Sequence, residues 1–341
     1  METKTDSSAQ TFVDSLLTEG AKIKCDETSE SFTTHKDLPP FYDEELFKKG
    51  QQFFYKHIFA FFVNKCLGLV AVLAVPSILR ILMFTKMSNT CVTSYRRYMA
   101  TIFHMMVWYD SDFKPGSRLW RSIEAVRDKH NSASRRGCTA GLVGITQKDM
   151  ALTQFGFMGI ALTRSKYIGI HEGTEEEWRA FLHVWRVVGY LMGIEDRFNL
   201  CSGTVEETRQ ICDLLIDQVF RPHVEQKDKD FLAMSSYMVN GLWSMSPMLK
   251  FESIMCYLHA LLQTPNGALK PTYMPLNFSQ YFSFRLGVAV AHSLRWSWWR
   301  IYHNYTKIVS LWLMKVFPFL GYYQFGYANS HVYILDDDRD K

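Results

Sequence analysis

Residues 57–84 read HIFAFFVNKCLGLVAVLAVPSILRILMF, the densest apolar stretch of the chain, yet its charge-free run between Lys65 and Arg80 is only 14 residues long and contains Pro76. A spanning helix needs about 20 apolar residues and tolerates an internal proline poorly. The stretch therefore predicts a buried core helix or an interfacial segment, and 57–84 inserts into a bilayer only if Lys65 and Arg80 snorkel. A second uncharged run, 316–335, is broken by Pro318, Gly321 and Gly326 and loaded with Tyr, Gln, Asn and His, poor material for a lipid-facing helix. Just before it, WSWWRIYHNY at 296–305 has the pattern of an interfacial belt or an amphipathic surface helix, which predicts peripheral membrane association.

Between these segments the periodicity is helical. Thr174 and Glu177 form a capping box ahead of Trp178, Phe181, Leu182, Trp185, Val188 and Met192, and Gly193 follows. Thr204 and Glu207 form a second box ahead of Ile211, Leu214, Leu215 and Val219, with Pro222 beyond the end. No stretch alternates polar and apolar residues between hairpin turns, and no repeat appears. The pattern predicts an all-α protein with one helical domain over 37–335. A flexible polar tail is expected at 1–36 and a charged tail at 336–341.

Composition narrows the function classes. Lys and Arg total 38 against 34 Asp and Glu, a formal charge of +4 with no basic run, so nucleic acid is not an expected partner. The 7 cysteines are scattered without a CxxC pair and read as reduced thiols in an intracellular setting. The N-terminus lacks the basic and apolar regions of a cleaved signal peptide. The 25 Phe, 17 Tyr, 9 Trp and 16 Met predict a soft aromatic interior, suited to a bulky apolar ligand or simply to a well-filled core.

Hydrolase, nucleotide-binding and HExxH motifs are missing, which leaves the histidines. After Pro115-Gly116-Ser117, Leu119, Ile123, Val126 and His130 recur at i, i+4, i+7 and i+11, and Arg127 leans toward the same stripe. A haem would satisfy both side chains, its iron taking the imidazole and its propionates the guanidinium. A core histidine bonded to backbone, with Arg127 on a carboxylate, fits the same spacing. On the preceding helix, about 91–109, a polar line of Arg97, Thr101, His104 and Trp108 runs through apolar surroundings, either an interior network or the wall of a site. His183 falls opposite its helix's apolar stripe and is expected to face solvent, whereas His259 and His292 are expected in the core. The two glycines of Phe155-Gly156-Phe157-Met158-Gly159 permit close approach by a flat ligand or by another helix.

The RxxH of Arg127-Asp128-Lys129-His130, with Arg97-Tyr98-Met99-Ala100-Thr101 upstream and QKDMALTQFGFMGI downstream, resembles a known family over about 90–270, Thr101 lying 29 residues before His130. The chain is similar to the haem-dependent oxygenases that group the latex-clearing protein (rubber oxygenase) with the endoplasmic-reticulum-bound oxygenase of mycophenolic acid biosynthesis. The resemblance implies a globin-like helical core around haem b, with His130 as proximal iron ligand. Arg97 and Thr101 match the distal RxxxT motif, and Arg127 matches the arginine three before the ligand. Arg97 and Arg127 would hold propionates or shape the O2 pocket, and Thr101 with Arg97 would serve as the catalytic residues of the oxygen chemistry. Ala100 stands where rubber enzymes carry an iron-capping lysine, so the distal face is open, holds water, or takes another ligand such as His104. No counterpart of the rubber enzymes' glutamate base is evident. The implied activity is O2-dependent oxidation or cleavage of an apolar substrate, isoprenoid or other lipid, at an intracellular membrane such as the endoplasmic reticulum. The rival readings are a haem-binding sensor or carrier without turnover, and a haem-free, membrane-associated helical protein that binds lipid.

Overall fold

The apolar stretch at 57–84 becomes two helices, because His57 breaks the chain at one end and Pro76 starts a new helix at the other. The computed structural model describes residues 2–28, 38–263 and 267–338. Among these the protein is all-α, and the one β-type contact is an isolated bridge between Lys24 and Thr146. In chain order the main helices are α1 (Glu2–Thr18), α2 (Glu44–Lys56), α3 (Ile58–Leu73), α4 (Pro76–Thr85), α5 (Cys91–Asp110), α6 (Arg118–Thr139) and α7 (Gln147–Thr163). They continue with α8 (Glu175–Leu191), α9 (Val205–Leu215), α10 (Lys229–Gly241), α11 (Phe251–Gln263), α12 (Phe278–Ser293), α13 (Ser297–Val316) and α14 (Phe319–Phe325). The boxes at Thr174/Glu177 and Thr204/Glu207 start α8 and α9 as the spacing predicts. After α9 the chain passes through a π-turn, and Pro222 opens the next short helix rather than ending the helical path.

Helix α3 is central and crosses α7 with backbone nearly touching backbone. A Cβ on Gly68 would lie 2.0 Å from the Gly156 carbonyl oxygen, so only glycine fits there. Asn64 clamps the crossing: its Nδ2 donates to the Phe157 carbonyl at 2.7 Å and its Oδ1 accepts from the Ala161 N–H at 2.6 Å. The close approach allowed by Gly156 is thus taken by a helix. Most of α3 is buried in one contiguous core, which accounts for its hydrophobicity. No single helix among the described residues is long and apolar enough to cross a membrane; only α2 and α3 together pass that test, across an 89° bend.

The tails depart from expectation. Ala9, Val13 and Leu16 share one stripe of α1 and are buried, and α1 packs on α9. Beyond α1 the chain hooks onto the start of α7, Gln147 N–H donating to Ile23 O and Cys25 N–H to Ile145 O, each at 2.9 Å. Its apolar stripe was too sparse to register locally because the complementary face lies far along the sequence. Residues 29–36 of the expected tail lie outside the described residues. At the other end Arg118 donates to Asp338 Oδ1 at 2.6 Å, so Asp336–Asp338 is a docked turn rather than a free charged tail, and 339–341 lie outside the described residues.

Candidate functional site

Helix α5 carries the polar line on one face. At 100° per residue Arg97, Thr101, His104 and Trp108 span a stripe about 60° wide, while Tyr98 and Ile102 face roughly 100° further round. Ser122 of α6 ties two members of the stripe together: its Oγ lies 2.8 Å from His104 Nδ1 and accepts from Trp108 Nε1 at 3.0 Å. The other ring nitrogen of His104, Nε2, is buried without a partner, and burial pushes the imidazole pKa down to about 3. The line is therefore an interior network at its C-terminal end, with one imidazole nitrogen left over.

At its N-terminal end the line meets His130. Burial, then the Arg97 charge and then Lys129, lower the His130 pKa to about 4, so the ring is neutral at pH 7. Its Nδ1 is buried with no hydrogen-bond partner. His130, Arg97, Thr101 and Ala100 are each half-buried. Thr101 Oγ1 donates to the Arg97 carbonyl at 3.0 Å, and burial lowers the Arg97 pKa. The Arg97 charge thus reaches His130 across the α5–α6 contact, and Thr101 follows Arg97 by one turn of α5.

Arg127 turns elsewhere. It is buried, its Nη1 donates to Leu191 O at 2.9 Å, and it senses the Cys25 thiol, so it serves the C-terminus of α8 where a cation complements the helix dipole. His183 is corrected: α8 is covered on both sides, so His183 is only 8% exposed and its Nε2 accepts from the Asp43 N–H at 3.1 Å. His292 is exposed beside Arg295 rather than in the core, while His259 is half-buried against Tyr273.

Among the described residues no three His, Cys, Asp or Glu side chains converge as a metal-binding group. A neutral imidazole whose Nδ1 has no hydrogen-bond partner, under the charge of an arginine, has the donor chemistry that suits a haem iron.

An apolar cavity of about 430 Å³, within the usual ~300–1,000 Å³ of small-molecule sites, is walled by α3, α10, α11, α12 and α13 and by Tyr98 and Ile102 of α5. Lys65 and Lys307 also line it, both buried. Reading the sequence treats Lys65 only as a candidate snorkelling residue; a lone charge inside the most apolar run is the signal that marks it, and for Lys307 only its place among the aromatics of α13 does.

The fold and site define an all-α protein with a neutral histidine on α6 and an apolar chamber walled by α3 and α10 to α13. Residues 55–298 match the family described as the ER-bound oxygenase mpaB/B'/Rubber oxygenase catalytic domain, and the chain belongs to that family of oxygenases. Among solved structures it is similar to latex clearing protein LCP in the closed state, with a TM-score of 0.56 and 15% identity over 82% of this chain and 78% of that one, a likeness of fold. No curated protein matches the sequence.

Proposed function

We propose that this oxygenase depends on haem b, held through His130, and oxidises an apolar substrate, isoprenoid or other lipid, with O2. The observation that carries the reading is the neutral, unpartnered His130 imidazole facing Arg97 in a chain of this family. When bound, the haem would supply O2 activation. His130 would hold its iron, because the imidazole is free of an added proton at pH 7. Arg97, whose charge acts on His130, is a cation suited to a propionate. The Thr101 hydroxyl keeps its lone pairs free and can rotate its proton away from the Arg97 carbonyl toward a bound oxygen ligand. Ala100 leaves the distal side without a lysine. The 430 Å³ apolar cavity would hold the substrate, with Tyr98 and Ile102 of α5 in its wall.

The membrane belongs to this proposal through α13. Trp298, Ile301, Tyr302, Tyr305, Ile308 and Trp312 are all exposed and form one stripe, while His303 and Lys307 on the other face of the helix line the cavity. An apolar stripe turned outward is the geometry of a helix lying in a bilayer interface, here that of an intracellular membrane such as the endoplasmic reticulum. The buried, unpartnered His104 Nε2 favours a second reading, a haem sensor or carrier with two imidazoles and no turnover. Oxygen uptake by purified haem-loaded protein offered isoprenoid alkenes separates the two: substrate-dependent consumption supports the oxygenase, and bound haem without consumption supports the carrier.

A further inference from the structure

Helices α12 and α13 run side by side along one wall of the apolar cavity. Residues 294–296 join them at one end. At the other end both reach the same short segment, Ser283 Oγ donating to Met248 O at 2.8 Å and Ser310 Oγ to Met245 O at 3.4 Å. Their inner faces line the cavity, α12 through Ser283, Gly287 and Val290 and α13 through His303 and Lys307. Their outer faces are therefore both turned away from it. That of α12 carries Phe278, 88% exposed, with Tyr281 and Phe282 one turn on, and that of α13 carries the stripe from Trp298 to Trp312. Only Phe284 and Ala291 of α12 are buried, so most of this helix has nothing packed over it among the described residues.

Charge sorts the partners that could cover these faces. No Asp or Glu occurs between Glu252 and Asp336, a stretch that includes all of α12, α13 and α14. Arg285 is exposed on the same side of α12 as Tyr281 and Phe282. Arg295, in the turn between the helices, lays its guanidinium over Trp296 at 4.6 Å and reaches His292 at 3.2 Å. Arg300 is taken by Glu172 at 3.2 Å and Lys315 acts on the Asp110 carboxyl, but Arg285 and Arg295 have no carboxylate partner among the described residues. Tryptophan, tyrosine and arginine interleaved on one outward face, with no acid among them, suit a surface that is anionic above and apolar below, which is a lipid leaflet.

We propose that α12 and α13 dock together on an anionic phospholipid leaflet, with Arg285 and Arg295 on the headgroups and the outward aromatic side chains at the acyl boundary. The inference rests on the membrane reading above, which concerns α13 alone, and adds the second helix and the charge of the lipid. The helices that dock are those whose inner faces wall the cavity, which puts the cavity one helix thickness, about 10 Å, from the lipid.

The test is co-sedimentation of the full chain with vesicles of phosphatidylcholine, either alone or with about 30% phosphatidylserine, at about 0.1 M salt. The anionic vesicles should be bound about thirtyfold tighter. That preference should fall to about twofold in the Arg285→Gln/Arg295→Gln variant, since each arginine at a charged surface is worth roughly fivefold. Arg135→Gln/Arg136→Gln, which removes the same charge from an exposed place on α6, should keep the parent's preference. Phe278→Ser/Phe282→Ser should weaken binding to both vesicles by about tenfold, because it strips the apolar face of α12. Equal binding to the two vesicles, an Arg135/Arg136 loss as large as the Arg285/Arg295 loss, or full binding by the Phe278/Phe282 variant overturns the inference. Equal binding leaves the α13 membrane reading standing, and binding to neither vesicle removes both. Sedimentation needs no haem or turnover. Anionic preference in a protein that consumes no O2 therefore keeps this inference and removes the oxygenase reading, while O2 consumption without the preference does the reverse.

Discussion

Ser122 Oγ stands 2.8 Å from His104 Nδ1, joining α6 to α5 eight residues before His130 on the same helix. Because the same hydroxyl accepts from Trp108, it fixes the spacing of the two helices on which the candidate haem residues lie. Ser122→Ala would leave two buried ring nitrogens unpaired. A loss of about 2–6 kcal/mol in unfolding free energy is expected, from roughly 1–3 kcal/mol for each of the two orphaned groups. Denaturant melts check it, and a loss below about 0.5 kcal/mol would show that the network is not what sets the spacing.

Acid should unfold the protein early. His57 and His104 have pKa values lowered to about 3 and His130 to about 4, in each case chiefly by burial. In the unfolded chain these rings take up protons near pH 6.5, and the folded interior refuses them. Stability is therefore full above pH 6.5 and is lost as the pH falls toward 4, at about 1.4 kcal/mol per pH unit for each ring, or about 4 for the three. Urea melts at pH 7, 6, 5 and 4.5 measure the slope, and a flat profile would contradict the burial of these imidazoles.

The α3–α7 crossing predicts a sharp intolerance. Gly68→Ala should cost about 3 kcal/mol or prevent folding, because its Cβ would sit 2.0 Å from backbone that cannot move aside. Gly287→Ala, where the nearest atom is a Tyr257 ring carbon at 3.5 Å, is the matched control and should fold like the parent. Thermal melts of the pair check the contrast.

Removal of α1 should be costly rather than silent. Leu16 is fully buried against the body of the protein, and Leu16→Ala should lose about 2–4 kcal/mol. A chain starting at Leu38 that melts at the parent's temperature would show that the helix contributes nothing.

Much of the fold was legible in the sequence because it is local. The two capping boxes, the helical phase of Arg97, Thr101 and His104, and the break at Pro76 are all written within a few residues of where they act. What escaped reading depends on partners distant in the chain. His183 looks solvent-facing on its own helix and is buried because α2 covers it. Arg127 leans toward His130 by spacing, yet the Leu191 carbonyl draws it away. The sparse stripe of α1 gains meaning only against α9.

The measurement that tests the central claim most directly is the absorption spectrum of the purified protein and of His130→Ala, each produced with ample haem and each shown by circular dichroism to be helical. The account predicts a Soret band in the parent that shifts on reduction and again with carbon monoxide, and no such band in the folded His130→Ala protein. A parent without a Soret band, or a variant that keeps the parent's spectrum, would contradict it.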